Sequence, residues 1–237
     1  MTQRSAKTIV YWPDNCAKAV VVLIHGLIRS ARSLKQLRKR LLKQGFAVIG
    51  LNYPSRSANI VQLAEDGIPK ALQAAAEIGE HLPVHFVTHS MGAILLRAYL
   101  KEHPEFSFGR AVMLGPPNKG SEVVDKLKGV PGFRLINGPA GFELSTGQDS
   151  TPKNLGPVTG CVGVIAGVKP INPLLSRLLP KPNDGKVSLA STKVEGMTDF
   201  LVVNASHTLM VDKREVIDQT LTFLQQGQFD HSAQRTS

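Results

Sequence analysis

Ser90 stands in the stretch Val84-His85-Phe86-Val87-Thr88-His89-Ser90-Met91-Gly92-Ala93-Ile94-Leu95-Leu96. A β-forming run ends at Thr88 and a helical run opens after Ser90. A serine on so tight a strand-to-helix turn is held in strained backbone geometry with its hydroxyl exposed, which suits a nucleophile, and the residues two before and two after it must be small because strand and helix crowd there. Gly92 meets that requirement. Thr88 stands where the first Gly of the motif is usual, and a small side chain is tolerable at that place. The Met91 N–H would lie at a helix N-terminus, where partial positive charge favours an oxyanion. A strand–helix turn with an ordinary Ser N-cap gives the same local pattern, so the reading depends on what else the chain supplies.

Three further pieces supply it. His25-Gly26-Leu27 follows the first strong β run, and Gly26 lets the chain turn so that the Leu27 N–H comes toward Ser90 as a second oxyanion donor. His25 itself, directly after a strand, reads as an orienting or packing histidine. Asp184, in Pro182-Asn183-Asp184-Gly185-Lys186-Val187, follows a later strand through a Pro-rich loop, although Asn-Asp-Gly is also good turn chemistry. His207, in Asn204-Ala205-Ser206-His207, follows the last strand. Ser90, Asp184 and His207 therefore come in the order Ser–acid–His, which is that of one class of catalytic triad, and each falls where a parallel sheet binds ligands, at the C-terminal ends of its strands. Other acids fit less well. Asp199 precedes the last strand, at the opposite edge. Asp125 and Asp149 would need a Gly-rich segment to fold inward, and Asp212 and Asp218 read as helix-surface acids. His89 abuts Ser90 and cannot easily reach the hydroxyl, so it reads as a packing or hydrogen-bonding residue.

The elements that must position these residues show in the pattern. Apolar runs rich in Val and Ile, at Val20–Ile24, Ala47–Leu51, Val84–Thr88, Ala111–Leu114, Val162–Ala166 and Phe200–Val203, carry little polar alternation, as strands buried on both faces do. Helical stripes lie between them: Leu34, Leu37, Leu41 and Leu42 with Gly45 as a stop; Ala71, Leu72, Ala75, Ala76 and Ile78 with Pro69 near the start; Ala93 to Leu100; and Val216 to Phe223. Such alternation predicts right-handed crossovers and an α/β sandwich of three layers. Segment 118–159, rich in Gly and Pro, and segment 168–183, rich in Pro, break the rhythm and read as rims or lids.

Composition bounds the rest. The chain has 237 residues and is 42% hydrophobic and 19% charged, a globular balance and length that predict one domain over 1–237. No run approaches the roughly 18 apolar residues of a membrane span. Met1 to Val10 lack an apolar signal core, and two cysteines, Cys16 and Cys161, are too few for a disulfide framework. These features predict a cytoplasmic protein. The formal net charge of +10 is uneven: residues 1–64 hold 11 Lys+Arg against Asp14 alone, and the rest of the chain is balanced. Nucleic acid is one reading of a basic segment. Here the cations Arg29, Arg32, Lys35, Arg38, Lys39, Arg40 and Lys43 fall on and just before one amphipathic helix, and they read as its solvated face. No nucleic acid is therefore expected, while peripheral contact with anionic lipid surfaces would suit such a face.

From Ala19 to Leu224 the chain resembles the α/β-hydrolases, and among them small bacterial lipases and esterases. The resemblance lies in His25-Gly26, Thr88-His89-Ser90-Met91-Gly92, Pro116-Pro117-Asn118-Lys119-Gly120-Ser121 after a strand, Asp184-Gly185-Lys186-Val187, and His207. It implies an α/β-hydrolase fold with a mostly parallel sheet, shortened N-terminal strands (only Thr8–Trp12 could form one before Val20) and no large cap domain. It also implies hydrolysis of ester or lipid-like small molecules without a cofactor or metal. Ser90 would attack, His207 would carry the proton and Asp184 would orient His207, with Leu27 and Met91 N–H groups as the oxyanion hole. Leu27, Ile28, Met91, Pro117, Leu174 and Leu175 are the candidates for an acyl pocket. Thioesterase, amidase and acyltransferase chemistry would use the same triad.

Overall fold

The computed structural model describes residues 5–232, apart from the side chains of Pro173 and Leu175. In chain order its elements are β1 (Lys7–Tyr11), β2 (Ala19–Ile24), α1 (Lys35–Lys43), β3 (Phe46–Asn52), α2 (Ile60–Ile78), β4 (Val84–His89), α3 (Met91–Glu102), β5 (Ala111–Leu114), α4 (Glu122–Leu127), α5 (Phe133–Glu143), α6 (Thr151–Asn154), β6 (Val162–Gly167), α7 (Pro173–Ser176), α8 (Leu189–Thr192), β7 (Asp199–Val203) and α9 (Arg214–Gln226). The seven strands form one sheet in the order β1-β3-β2-β4-β5-β6-β7. Only β1 runs antiparallel, along the outer side of β3.

The apolar runs explain the layers. In β2 successive side chains point to opposite faces: Val20, Val22 and Ile24 join one core, and Ala19, Val21 and Leu23 join the other. The first core is closed by α2 and α3, through residues such as Leu63, Ile68, Ile94 and Leu95. The second is closed by α1 and α9, through Leu37, Leu41, Val216 and Leu224. Each such side chain, fully buried, contributes roughly 1.5–3 kcal/mol, so both faces must be covered. This is the α/β-hydrolase architecture, with no large cap among the described residues. Among the described residues no helix is long and apolar enough to cross a membrane.

One sequence expectation shifts. The second helix starts well before Pro69: Asn59 caps α2, its side chain accepting from the Gln62 N–H while Gln62 returns a bond to the Asn59 N–H. The half carrying Ile60, Leu63, Ala64 and Ile68 is as buried as the half with the alanine stripe, and Pro69 lies mid-helix, its cost offset by that burial. Segment 118–159, aperiodic in sequence and read as a rim or lid, holds the short helices α4, α5 and α6. Within α5 the helical path breaks at Gly138, whose φ of 68° lets the backbone pass so close to Arg56 that a β-carbon would come 2.3 Å from the Arg56 carbonyl oxygen.

The sheet order fixes where a site can form. From β2 the chain moves outward to β3, then returns past β2 to β4. The connections leaving β2 and β4 thus diverge and open a crevice at their C-terminal ends.

Candidate active site

Ser90 is the first residue after β4 and the residue before α3. Its backbone lies at φ 53°, ψ −123°, a conformation that costs a non-glycine residue on the order of 1–3 kcal/mol. The surroundings hold it there. The Ser90 N–H donates to the Leu114 carbonyl at 2.9 Å. Gly92 lies so close to β2 that a β-carbon would come 2.5 Å from the Ile24 carbonyl oxygen. Thr88, in the place of the usual Gly, is fully buried, and its hydroxyl finds no hydrogen-bond partner among the described residues.

The three residues picked from the sequence meet in one hydrogen-bonded chain. The Ser90 hydroxyl lies 2.9 Å from His207 Nε2, and His207 Nδ1 lies 2.7 Å from Asp184 Oδ2. Asp184 is carried by the loop after β6 and His207 by the loop after β7, and the loops are tied by the His207 N–H donating to the Asp184 carbonyl at 3.0 Å. The second carboxylate oxygen, Oδ1, accepts from the N–H groups of Lys186 at 2.9 Å and Val187 at 2.8 Å. A carboxylate facing Nδ1 requires the proton there, which leaves Nε2 free to accept the Ser90 proton. Gly115, at φ 53°, makes room for the pair: a β-carbon there would lie 3.2 Å from both Asp184 Oδ2 and His207 Nδ1.

Two other histidines frame this chain, and neither is placed as a base. His25 is buried against Tyr53, ring on ring at 4.2 Å, and its Nδ1 donates to the Gly26 carbonyl at 2.8 Å. Burial lowers its pKa to about 4. Tyr53 in turn donates from its hydroxyl to the His25 carbonyl at 2.6 Å. These contacts fix the turn that leads to Leu27. His89 donates from Nε2 to the His207 carbonyl at 2.9 Å, and its ring lies 5.0 Å from that of His207. Burial first, and His207 second, hold His89 well below the usual histidine range, so it stays neutral.

Leu27 and Met91 follow the ends of β2 and β4. Among the described residues neither N–H has a hydrogen-bond partner in the protein, as an oxyanion hole requires. Beyond Leu27 the turn is tied down by one bond: Ile28 sits at φ 57° and its N–H donates to the Ser55 hydroxyl at 3.0 Å.

A cavity of about 560 Å³ opens beside Ser90 and His207. Of the residues named from the sequence for an acyl pocket, Leu27, Ile28 and Pro117 line it. Met91 is not among the residues that line it; its side chain is fully buried in the core. Leu174, on α7, is 71% exposed and outside the lining, because the Pro-rich loop swings away from the cavity. The side chain of Leu175 lies outside the described residues. Sequence reasoning missed most of the apolar wall: Val123, Val124 and Leu127 of α4, Phe133 of α5 and Leu144 just beyond it. Their aliphatic character was legible, but short helices interrupted by Gly and Pro carry no clear period. Also missed was the role of Ser121, whose hydroxyl donates to the Lys186 carbonyl at 2.7 Å and so fastens the acid loop to α4.

The comparisons agree with this architecture. The family model for serine aminopeptidases, S33, matches residues 15–136, and the chain belongs to that family of α/β-hydrolases. No curated protein matches the sequence. Among solved structures, the chain is similar to a Bacillus licheniformis lipase in its mature form, at 17% identity and a TM-score of 0.74, over 92% of this chain and 98% of the lipase. It is also similar to a thermophilic esterase of Thermogutta terrifontis, at 15% identity and a TM-score of 0.57, over 94% and 93% of the two chains. The phospholipase PlaB of Legionella pneumophila matches at 16% identity and a TM-score of 0.61, over 74% of this chain and 45% of the phospholipase. At such identities the likeness is one of fold.

Proposed function

We propose that the protein is a serine hydrolase of carboxylic esters, working through an acyl-enzyme. The observation that carries this reading is the chain Asp184–His207–Ser90, with contacts of 2.7 and 2.9 Å, ending on a strained serine that faces an apolar cavity. Ser90 Oγ attacks the acyl carbonyl while His207 Nε2 takes its proton. The tetrahedral oxyanion is met by the N–H groups of Leu27 and Met91. His207 then returns the proton to the leaving alcohol, and water repeats the sequence on the acyl-enzyme. Asp184 keeps the proton on Nδ1 and stabilises the imidazolium. Leu127, Phe133 and Leu144 give an acyl chain an apolar seat.

The family's name raises aminopeptidase action as the second reading. An aminopeptidase must hold the α-ammonium of its substrate, which calls for a carboxylate near the scissile bond. Among the described residues no Asp or Glu lines the cavity. Asp184 is committed to His207 and the loop N–H groups, Glu122 accepts from the hydroxyls of Ser188 and Ser191 through one oxygen, and Asp125 accepts from the Thr146 N–H. That favours an ester over a free N-terminal peptide.

The test is hydrolysis of p-nitrophenyl esters of graded acyl length, beside an acyl-CoA and an aminoacyl p-nitroanilide. Ester turnover should dominate, and Ser90→Ala should remove roughly four orders of magnitude of it with the melting temperature retained. A Ser90→Ala variant as active as the parent sinks the nucleophile, and a preference for the anilide sinks the ester reading.

A further inference from the structure

The cavity beside Ser90 carries two cations and, among the described residues, no acid. Arg29 and Lys186 both line it and both are exposed at its rim. Neither has an ion-pair or side-chain hydrogen-bond partner among the described residues, whereas cations elsewhere on the surface, such as Arg40, Lys70 and Lys213, pair with Asp218, Asp66 and Glu215. Their backbones are fixed by the site itself. Arg29 follows Ile28, held at positive φ and bonded to Ser55. Lys186 donates its N–H to the Asp184 carboxylate and accepts from the Ser121 hydroxyl. Two cations facing one opening repel, and crowding by the surrounding protein, then the charge of Arg29, holds the Lys186 ammonium below its usual range, while Asp184 opposes the shift. An anion bound between them would relieve that repulsion.

We propose that Arg29 and Lys186 form an anion-recognition pair at the mouth of the Ser90 cavity, so that the favoured substrates are esters bearing a carboxylate or phosphate close to the scissile acyl group. This rests on the ester-hydrolase reading and names its substrate class. The apolar wall of α4 and α5 would take a hydrocarbon chain, and the rim would take the negative group, an arrangement suited to an amphiphile with an anionic end. The fixed backbone on either side leaves each cation only its side-chain freedom to lose on binding. Charge-assisted contacts of this kind are worth roughly a 10- to 100-fold preference.

The experiment compares matched esters. On the acyl side these are p-nitrophenyl hydrogen glutarate and p-nitrophenyl pentanoate. On the alcohol side they are hexanoyl glycerol 3-phosphate and monohexanoyl glycerol, with released hexanoate titrated. The parent should favour the anionic member of at least one pair in kcat/KM, and which pair responds separates a carboxylate on the acid from a phosphate on the alcohol. The preference should fall with added salt. In Arg29→Gln/Lys186→Gln the anionic-to-neutral ratio should drop roughly 10- to 100-fold, with each single variant between, so that the singles decide if the double does not fold. Lys39→Gln, on α1 and outside the cavity, should leave the ratio alone. Equal rates for both members of both pairs, an unchanged ratio in the double variant, or an equal loss in Lys39→Gln would each overturn the pair. If none of the four esters is cleaved, the ester reading fails separately, and calorimetric affinities of Ser90→Ala for the same four compounds still decide whether anions are preferred.

Discussion

Asp184 accepts three hydrogen bonds on its side chain: His207 Nδ1 on one oxygen, and the N–H groups of Lys186 and Val187 on the other. The two main-chain donors fix the rotation of the carboxylate, and His207 is thereby aimed at Ser90. Asn at this place can keep the main-chain donors, but it turns an N–H toward Nδ1 and so imposes the wrong tautomer. Asp184→Asn should therefore cut kcat by roughly 10³–10⁴ with little change in KM. Asp199→Asn should leave turnover within a few-fold, because Asp199 lies at the other end of the sheet, where it accepts from the Phe229 N–H and His231. A larger loss in Asp199→Asn would mean that the acid is misassigned. These residues were legible in the sequence because each follows a recognisable strand, and a parallel sheet brings the C-terminal ends of its strands together. The role of His89 was half legible. Its poor reach to the neighbouring hydroxyl could be argued from sequence, whereas its bond to the His207 carbonyl joins residues 118 apart and depends on how two loops meet.

Elements differ in how far the chain pattern reveals them. The strands are near-continuous Val and Ile runs because both of their faces are covered, and α1 and α9 show a stripe because only one of theirs is. Segment 118–159 has neither signal, since its helices rest on a few tethers rather than a continuous face. Arg97, buried on α3, is the main one. It donates to the Asn118 carbonyl at 2.9 Å and side chain at 3.2 Å, and to the Gly156 carbonyl at 2.6 Å. Asn118 continues the line to the Thr192 carbonyl at 2.8 Å. One guanidinium thus ties both ends of the segment that builds the apolar wall. Burial lowers its pKa only to about 10, so it stays charged and the carbonyl oxygens stabilise that charge. Arg97→Met should lower stability by about 2–3 kcal/mol through the carbonyls left without donors. It should also raise KM for long acyl chains more than for acetate esters, with kcat changed less. An equal effect on all chain lengths would show that the tether does not set the wall. Urea unfolding beside a chain-length series makes the measurement.

Over the whole molecule, the +10 charge marks one basic helix face and a cationic cavity rim on an otherwise balanced chain, while the response of stability to mild acid comes from histidines sealed inside. His25 and His85 both have pKa values lowered to about 4, His25 by burial and His85 by burial and then by Arg110. His85 Nδ1 also accepts the Arg110 N–H at 2.8 Å, a bond that its protonation would break. The unfolded chain takes up these protons near pH 6.5, and the folded chain refuses them until about pH 4. Between those values the unfolded state binds more protons, so stability is complete above about pH 6.5 and is lost as pH falls toward 4. The loss by pH 5 is on the order of 2 kcal/mol for each histidine. His89 acts with the same sign. Half-buried His103, raised by its hydrogen bond to Glu65, acts with the opposite sign. Urea midpoints should therefore fall steeply between pH 6.5 and 5, above the range where most carboxylates titrate. His85→Asn, whose side-chain oxygen can still accept the Arg110 N–H but takes no proton, should flatten that fall by about one histidine's share. A stability that stays level from pH 7 to 5 would mean that these rings are reached by solvent and protonated in place, and the packing of His25 on Tyr53 that shapes the Leu27 turn would then have to loosen with acid as well.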